Sequence, residues 1–408
     1  MKRITIVGGG QSGLQLGIGL LKRGYEVRII QDRTAEQIAA GRVLSSQCQF
    51  GASLDIERSL GIDFWASECP PVQGISFAVP GPDGGKALEW SARLDESAQS
   101  VDQRVKMPRW IQEFTRLGGH LDIANADIAR LEVEAKWADL VLVASGKGEI
   151  GKLFDRDATR SPFDAPQRAL ALTYVHGMAP RAEHSAVSFN MIPGVGEYFV
   201  FPALTLSGPC EIMVFEGIPG GPMDCWRDVT TPAQHLDTSL NILKTFAPWE
   251  YDRCTRVELT DANGILAGRF PPTVRHPVAT LPSGAKVLGL GDAVCLNDPI
   301  TGQGANNAGK AAAVYLQAIV ERGDAPFDAA WMQATFERFW DYAQWVVEWT
   351  NMMLLPPPPH VLEIMGRAQT SPALAYRIAN AFDDPRDFFP WFAEEHAARD
   401  YLHHLKAA

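Results

Sequence analysis

Hydrophobic positions are distributed along this chain in three successive ways, and the first is continuous. Ile4, Thr5, Ile6 and Val7 are β-branched and do not alternate, the pattern of a strand covered on both faces of a parallel sheet. Gly8-Gly9-Gly10-Gln11-Ser12-Gly13 follows, then a helical run (Leu14, Leu16, Ile18, Leu20, Leu21) closed by Gly24, then a second strand from Val27 to Ile30. Asp32 to Gly41 reads as turn and loop, and Leu54 to Leu60 as a short amphipathic helix that Pro70-Pro71 ends. Gly74 to Val79 alternates, and after the turn Pro80 to Gly85 the stretch Lys86 to Ser91 can return beside it as a hairpin. Pro108 to Leu117 predicts a helix with Trp110, Ile111 and Phe114 on one face. Leu121-Asp122-Ile123 and the apolar run Asp139 to Gly146 predict two more strands of the parallel sheet.

The second pattern is a series of separate strands, Ala169 to Val175, Ser185 to Met191, Gly196 to Leu204 and Cys210 to Phe215, spaced by Pro/Gly turns. Such spacing predicts an antiparallel sheet forming the wall of a second domain. Thr231 to Phe246 predicts a helix with Leu236, Leu240, Ile242 and Leu243 inward, and Val257 to Leu259 and Gly268 to Val274 add extended pieces. Val287 to Leu290 is again continuously apolar and leads into Gly291-Asp292 and a small-residue helix, Gly309 to Val320.

The third pattern is helical and aromatic. Trp331, Phe336, Phe339, Trp340, Trp345 and Trp349 recur along Ala329 to Leu354, where a run of prolines stops the helix. A stripe of this kind is ordinarily core; docking of another protein or of a second copy of the chain, as a homodimer, is the alternative. Asp383 to Phe389 reads as a turn onto a final helix. The fold class is therefore α/β: a Rossmann-like domain (residues 1–70, 98–165 and 282–325), an antiparallel β-sheet substrate domain (71–97 and 166–281) and a C-terminal helical region (326–408).

Composition narrows the function. At 408 residues the chain holds two or three domains, and a formal net charge of -11 argues against nucleic acid, which wants a basic face. No run of eighteen apolar residues and no signal peptide is present, so a cytoplasmic protein away from the membrane is expected. The six cysteines form no CxxC pair and the histidines no HxxxH, which suggests neither a metal site nor a disulfide framework.

The glycine run carries the first chemistry. Gly8 makes the tight turn, Gly10 lets backbone approach a pyrophosphate and Gly13 lets the helix pack close on the strand, leaving a diphosphate before the helix N–H groups. A lone GxGxxG is weak, but strand, loop, helix and second strand in this order make it a dinucleotide fingerprint; a glycine-rich turn without ligand is the alternative. Where an acid normally takes the ribose hydroxyls stands Gln31, with Asp32 next. Either Asp32 serves after a one-residue shift, or Gln31 and Arg33 hold the ribose differently. The second diagnostic stretch runs from Gly291-Asp292 through Asn297-Asp298-Pro299-Ile300-Thr301-Gly302-Gln303-Gly304-Ala305-Asn306. An aspartate at a strand end can take a ribitol hydroxyl, and a helix N-terminus can face an anionic flavin edge.

Together these motifs resemble the flavin hydroxylase fold of para-hydroxybenzoate hydroxylase. Four stretches narrow the resemblance to the oxygenase component of styrene and indole monooxygenases: Gly41-Arg42-Val43-Leu44-Ser45-Ser46-Gln47, Ser100-Val101-Asp102-Gln103-Arg104, Asn297 to Gly304, and Pro356-Pro357-Pro358-Pro359-His360. The resemblance implies reduced FAD as a diffusible cosubstrate, a separate NADH-dependent flavin reductase as partner, and O2. The implied intermediate is a C4a-hydroperoxyflavin that epoxidises the C2=C3 bond of indole, towards indoxyl and indigo, with styrene-type alkenes and aryl sulfides as further substrates. No catalytic side chain is implied, since the cofactor carries the chemistry. Self-sufficient hydroxylases end the strand before Gly146 in an Asp-Gly pair; Ser145 stands there, in keeping with an external reductase. The implied FAD ligands are Gly8, Gly10, Gln11, Ser12, Gly13, Asp32, Arg42, Gln103, Arg104, Asp292, Pro299, Gly302, Gln303, Gly304, Ala305 and Asn306. The implied substrate pocket has Ser45 and Gln47 as polar groups beside Pro299, Ile300, Thr301 and Gly302. Styrene-preferring members carry Asn-Thr-Val where Ser45-Ser46-Gln47 stands, and the polar pair suits an indole N–H, so indole is expected ahead of styrene. Two other readings are a single-component NAD(P)H hydroxylase and a non-enzymatic module like the Rab GDP-dissociation inhibitors.

Overall fold

The computed structural model describes residues 2–145 and 150–407. The chain runs β1 (Arg3–Val7), α1 (Gln11–Leu21), β2 (Glu26–Gln31), α2 (Ala35–Ala39), α3 (Gly51–Ser59), β3 (Val72–Pro80), β4 (Lys86–Ala98), α4 (Gln103–Arg116), β5 (His120–Ile123), α5 (Ile128–Trp137) and β6 (Leu140–Val143). It continues through β7 (Ala169–His176), β8 (Ala186–Ile192), β9 (Gly196–Thr205), β10 (Gly208–Gly217), α6 (Pro232–Phe246), α7 (Pro248–Tyr251), β11 (Glu258–Leu259) and β12 (Ile265–Gly268). After β13 (Thr273–Val274), β14 (Val278–Thr280), β15 (Lys286–Gly289) and β16 (Cys295–Leu296) come the helices α8 (Gly304–Arg322), α9 (Ala329–Met353), α10 (Pro359–Ala368), α11 (Pro372–Asn380) and α12 (Glu395–Ala407).

One sheet has the order β14-β15-β6-β1-β2-β5. It is parallel apart from β14, with Ile4 opposite Val27 on one side and Leu140 on the other. Ile4 and Ile6 are wholly buried, as unbroken apolar strands under helices must be. Gly146, the end of the expected strand there, lies outside the described residues.

The second sheet has the order β11-β7-β10-β9-β8-β3-β4, with β12 also on β7. Its strands are antiparallel except where β3 meets β8 in parallel, because the β3–β4 hairpin joins from far back in the chain. Both faces are covered. Phe77, Phe189, Phe199, Phe201, Ile212 and Val214 face the C-terminal helices, while Tyr198, Val200, Met213 and Phe215 face α6. Along α6 the buried positions are His235, Ser239, Ile242 and Leu243, so the expected Leu236 and Leu240 lie only half-buried. Ser239 earns its place through a 2.8 Å hydroxyl contact with Thr173.

Two local expectations change. The span read as loop after Asp32 contains α2, started by a capping box in which Thr34 and Gln37 satisfy each other's backbone N–H groups. Helix α4 begins at Gln103, five residues before Pro108. Asp102 caps it by accepting from the Arg104 N–H at 2.8 Å, and the buried Asp102–Arg104 ion pair holds the first turn although Pro108 forgoes one helical bond. The aromatic stripe of α9 packs inward: Phe336, Phe339 and Trp349 are buried, and Trp349 stacks on Phe388 with centroids 4.4 Å apart. Among the described residues no helix is long and apolar enough to cross a membrane.

Candidate functional site

The glycine loop has the geometry its spacing predicts. Gly8 adopts φ +114°, and its N–H donates to the Ile30 carbonyl at 2.8 Å. A Cβ on Gly13 would stand 1.9 Å from the Gly8 carbonyl oxygen, so only glycine lets α1 start this close to β1. A Cβ on Gly10 would meet nothing within 4 Å, so the protein leaves space there. Gln31 closes over the loop. Its Oε1 would lie 1.7 Å from a Cβ on Gly9, and its Nε2 donates to the Arg33 carbonyl at 2.6 Å. Asp32 is exposed, 3.5 Å from the Arg33 Nε.

Ser12 turns from this loop towards the second motif, its hydroxyl 2.7 Å from where a Gly291 Cβ would be. Gly291 adopts φ +61°. Asp292 is open to solvent yet hemmed in by protein, and that crowding pushes its carboxyl up to about 6, with nearby Arg275 pulling the other way. A solvent-reached but crowded acid is what a ligand crevice offers. Helix α8 lies beside α1, where the Gln15 Nε2 donates to the Gly309 carbonyl at 2.9 Å.

Capping sets these two helices apart from most of the others, although the short α7 and the proline-led α10 also lack a side-chain cap. Thr34, Asp102, Asp127, Thr231, Asp328 and Ser371 cap α2, α4, α5, α6, α9 and α11, and Asp383 reaches the Ala52 N–H of α3 at 3.0 Å. Neither α1 nor α8 has a side-chain cap or an acid in its first turn. Their N–H groups remain for a ligand, an anion above all.

The remaining predicted residues divide by where they point. Ser45 and Gln47 are together: the Ser45 hydroxyl donates to the Gln47 Oε1 at 3.0 Å and accepts from the Gln103 Nε2 at 2.9 Å. Tyr174, unremarked in the sequence, reaches from the aromatic sheet face to the Ser45 carbonyl at 2.8 Å. Arg42 is exposed, while Pro299, Gly304 and Ala305 are half-buried and Gly302 is exposed with φ +66°. Ile300 packs in the same apolar cluster as Phe199 and Val43, and the Thr301 hydroxyl meets that of Thr350 at 2.7 Å. Gln303 and Asn306 turn inward. The first donates to the Phe382 carbonyl at 2.8 Å; the second donates to Cys48 at 2.9 Å and accepts from the Phe50 N–H at 3.0 Å. Gln11 likewise donates to Glu57 at 2.9 Å, in a buried cluster with Gln49 and Lys106 that the sequence did not single out.

Arg104 does not fit the role the resemblance implied. It is buried, with Nε on Asp102 at 2.9 Å and both terminal nitrogens on Asp261 at 3.0 Å, so its guanidinium is spent on tying α4 to the second sheet. Orphaned buried polar atoms gather instead at Asn297, Gln303 and Asn307, with Gln47 Nε2 a further one. Buried polar atoms without partners mark a place completed by water or ligand. Among the described residues one surface cavity of about 460 Å³ opens beside Trp65, Arg104, Pro108 and Leu206, and one of about 240 Å³ beside Phe50 and Asn380.

A mostly parallel sheet with a glycine loop, joined to an aromatic β-wall, is a fold this chain shares with solved flavin-dependent enzymes. The chain is similar to flavin-dependent brominase Bmp2 (TM-score 0.67, 13% identity, 99% of each chain). It is similar also to a flavoprotein/dehydrogenase from Cytophaga hutchinsonii (TM-score 0.70, 13% identity, 100% of each chain). In sequence the likeness is narrower. Residues 146–253 match the family described as "Styrene monooxygenase A putative substrate binding domain". The chain is 28% identical to styrene monooxygenase StyA of Pseudomonas fluorescens and 29% identical to StyA of a Pseudomonas sp., in each case over 94% of this chain and 93% of the relative. The likeness to styrene monooxygenase StyA thus extends over nearly the whole chain.

Proposed function

We propose that this chain is the cytoplasmic oxygenase component of a two-component monooxygenase, receiving reduced FAD from a separate NADH-dependent reductase and epoxidising the C2=C3 bond of indole. The observation that carries the reading is the meeting of the open glycine loop with the Gly291-Asp292 turn, each leading to a long helix left uncapped. Reduced FAD and O2 supply the electrophilic oxygen, the second oxygen leaving as water. The protein binds, orients and excludes water. The α1 N–H groups would hold the diphosphate, Asp292 would accept a hydrogen bond from a ribityl hydroxyl, and the α8 N–H groups would stabilise the electron-rich pyrimidine edge. Ser145 in place of an acid supports delivery of flavin already reduced.

Binding makes a proton-linked prediction. A hydroxyl donating to Asp292 favours its carboxylate, so FAD uptake expels the proton that crowding retains up to about 6. FAD affinity is therefore expected to rise as pH goes from about 5 to about 7 in the wild type and to stay flat in Asp292→Asn, read by fluorescence titration at each pH.

Substrate choice rests on Gln47, buried with one amide end unpartnered. Turning the amide presents an oxygen to an indole N–H, whereas a vinyl arene leaves the group orphaned, a difference of about 1–3 kcal/mol. The test supplies purified protein with a flavin reductase, NADH and FAD, and follows indigo from indole and the epoxide from styrene. Wild type is expected to favour indole, and Gln47→Val to shift the ratio about tenfold or more towards styrene. Faster styrene turnover by the wild type, with no shift in the variant, would instead establish the second reading, a styrene monooxygenase, which both StyA relatives favour. No oxygenation of either, or NADH oxidation without a reductase, sinks the two-component reading.

A further inference from the structure

Three carboxylates converge on one guanidinium where the loop 297–303 meets the end of the second sheet. Glu216 and Asp298 are wholly buried, and Glu197 and Arg168 are nearly so. Arg168 spends itself on Glu197, with Nε and a terminal nitrogen at 2.6 and 2.9 Å, while its other terminal nitrogen donates to the Gln167 and Leu354 carbonyls. Glu216 stands directly opposite Glu197 in the β9–β10 register, a placement that repels when both are charged. No N–H or O–H faces either Glu216 oxygen or the Asp298 Oδ2, and these two carboxyls face each other. The other Asp298 oxygen caps the Pro299 turn, accepting from the Ile300 N–H at 3.1 Å.

Two carboxylates in contact with no donor between them are stable only with a proton between them. We propose that Glu216 and Asp298 share one proton, and that this proton latches the loop 297–303 onto the β-wall, making Glu216 a positioning residue for the cofactor and substrate loop. Burial pushes Glu216 well above the usual carboxylate range, with Asp298 and Glu197 adding to the push and Arg168 opposing it. Burial raises Asp298 too, against its bond to Glu216, its cap and Arg168. The charged groups that bear most on the pair are Glu197 and Arg168.

The placement of the loop at the flavin edge rests on the proposed function; the shared proton does not, and two measurements separate them. Because the folded pair holds its proton more tightly than the unfolded chain, the stability it contributes is complete below the ordinary carboxylate value and lost as pH rises through the raised one. Glu216→Gln keeps the shape and supplies a permanent N–H donor to Asp298. Thermal denaturation without FAD is expected to show wild-type stability falling at alkaline pH relative to the variant. Product formed per reduced FAD is expected to fall in the wild type by about tenfold per pH unit above the shared value and to stay level in Glu216→Gln. Asp298→Asn, which keeps the cap and donates to Glu216, is expected to level the profile as well. Parallel stability curves for wild type and Glu216→Gln overturn the shared proton, as does failure of both amide variants to fold, since an amide must be tolerated where a proton sits. Diverging stability curves with parallel product profiles overturn the latch. A chain that shows diverging curves yet binds no FAD overturns the flavin reading and leaves the proton pair standing.

Discussion

Gly13→Ala is expected to weaken FAD binding about a hundredfold or more. The added methyl would sit 1.9 Å from the Gly8 carbonyl oxygen, a backbone atom that cannot rotate away. Either α1 withdraws from β1 or the Gly8 turn opens. Overpacking of this kind costs about 1–3 kcal/mol, and the upper end of that range corresponds to about two decades in affinity if it falls on the binding loop. Gly10→Ala is the companion measurement. Nothing in the protein lies within 4 Å of a methyl there, and Gly10 has an ordinary φ of -89°, so the free protein keeps its stability. The methyl would stand where the pyrophosphate approaches, so affinity falls although the fold does not change. Denaturation of the FAD-free variants beside FAD fluorescence titration reads both. A Gly10→Ala protein that binds FAD like the wild type would show that the open space is not the phosphate seat.

Arg104→Met is expected to cost about 3–5 kcal/mol of stability, the range for removing one partner of a buried ion pair. The substitution keeps much of the side-chain stem but leaves Asp102, 1% exposed, without its cation, and releases Asp261 and the Thr205 hydroxyl from α4. Burial works against the Asp261 charge and the Arg104 bonds outweigh it, holding that carboxyl below its usual range. A depressed carboxyl contributes stability present above its unfolded value and lost as pH falls through the folded one. The gap between wild type and variant should therefore narrow below about pH 4. Affinity for FAD per folded molecule is expected to stay unchanged, because the Arg104 guanidinium is spent on Asp102, Asp261 and Thr205. A variant that folds as stably as the wild type but binds FAD poorly would restore Arg104 as a cofactor ligand.

Arg104 also shows where reading the sequence stops. Its partner Asp261 is 157 residues away, and no local pattern links the two. Gln303 and Asn306 belong to the same class. Both stand in the loop the motif marks, yet their amides go to Phe382 and Cys48, so that loop offers its backbone rather than these side chains. Helix α4 starts ahead of its proline for a related reason: proline is a strong local signal, but the buried bond between Asp102 and Arg104 outweighs it. Glu216 lies in a strand of apolar neighbours, and its meaning is supplied only by Asp298 from another part of the chain.

What the amino-acid order determined by itself is what short-range rules govern. Gly8 and Gly13 had to be glycine, the first because it takes φ +114° and the second because α1 starts against the Gly8 carbonyl. The unbroken apolar strands had to be covered on both sides, and the turn-spaced strands from Ala169 to Gly217 had to form a wall. What only the tertiary structure decided is the destination of each long polar side chain. An arginine, glutamine or glutamate satisfies its donors and acceptors with whichever partner burial brings within about 3 Å, and that partner is chosen by the packing of distant elements rather than by neighbours in sequence.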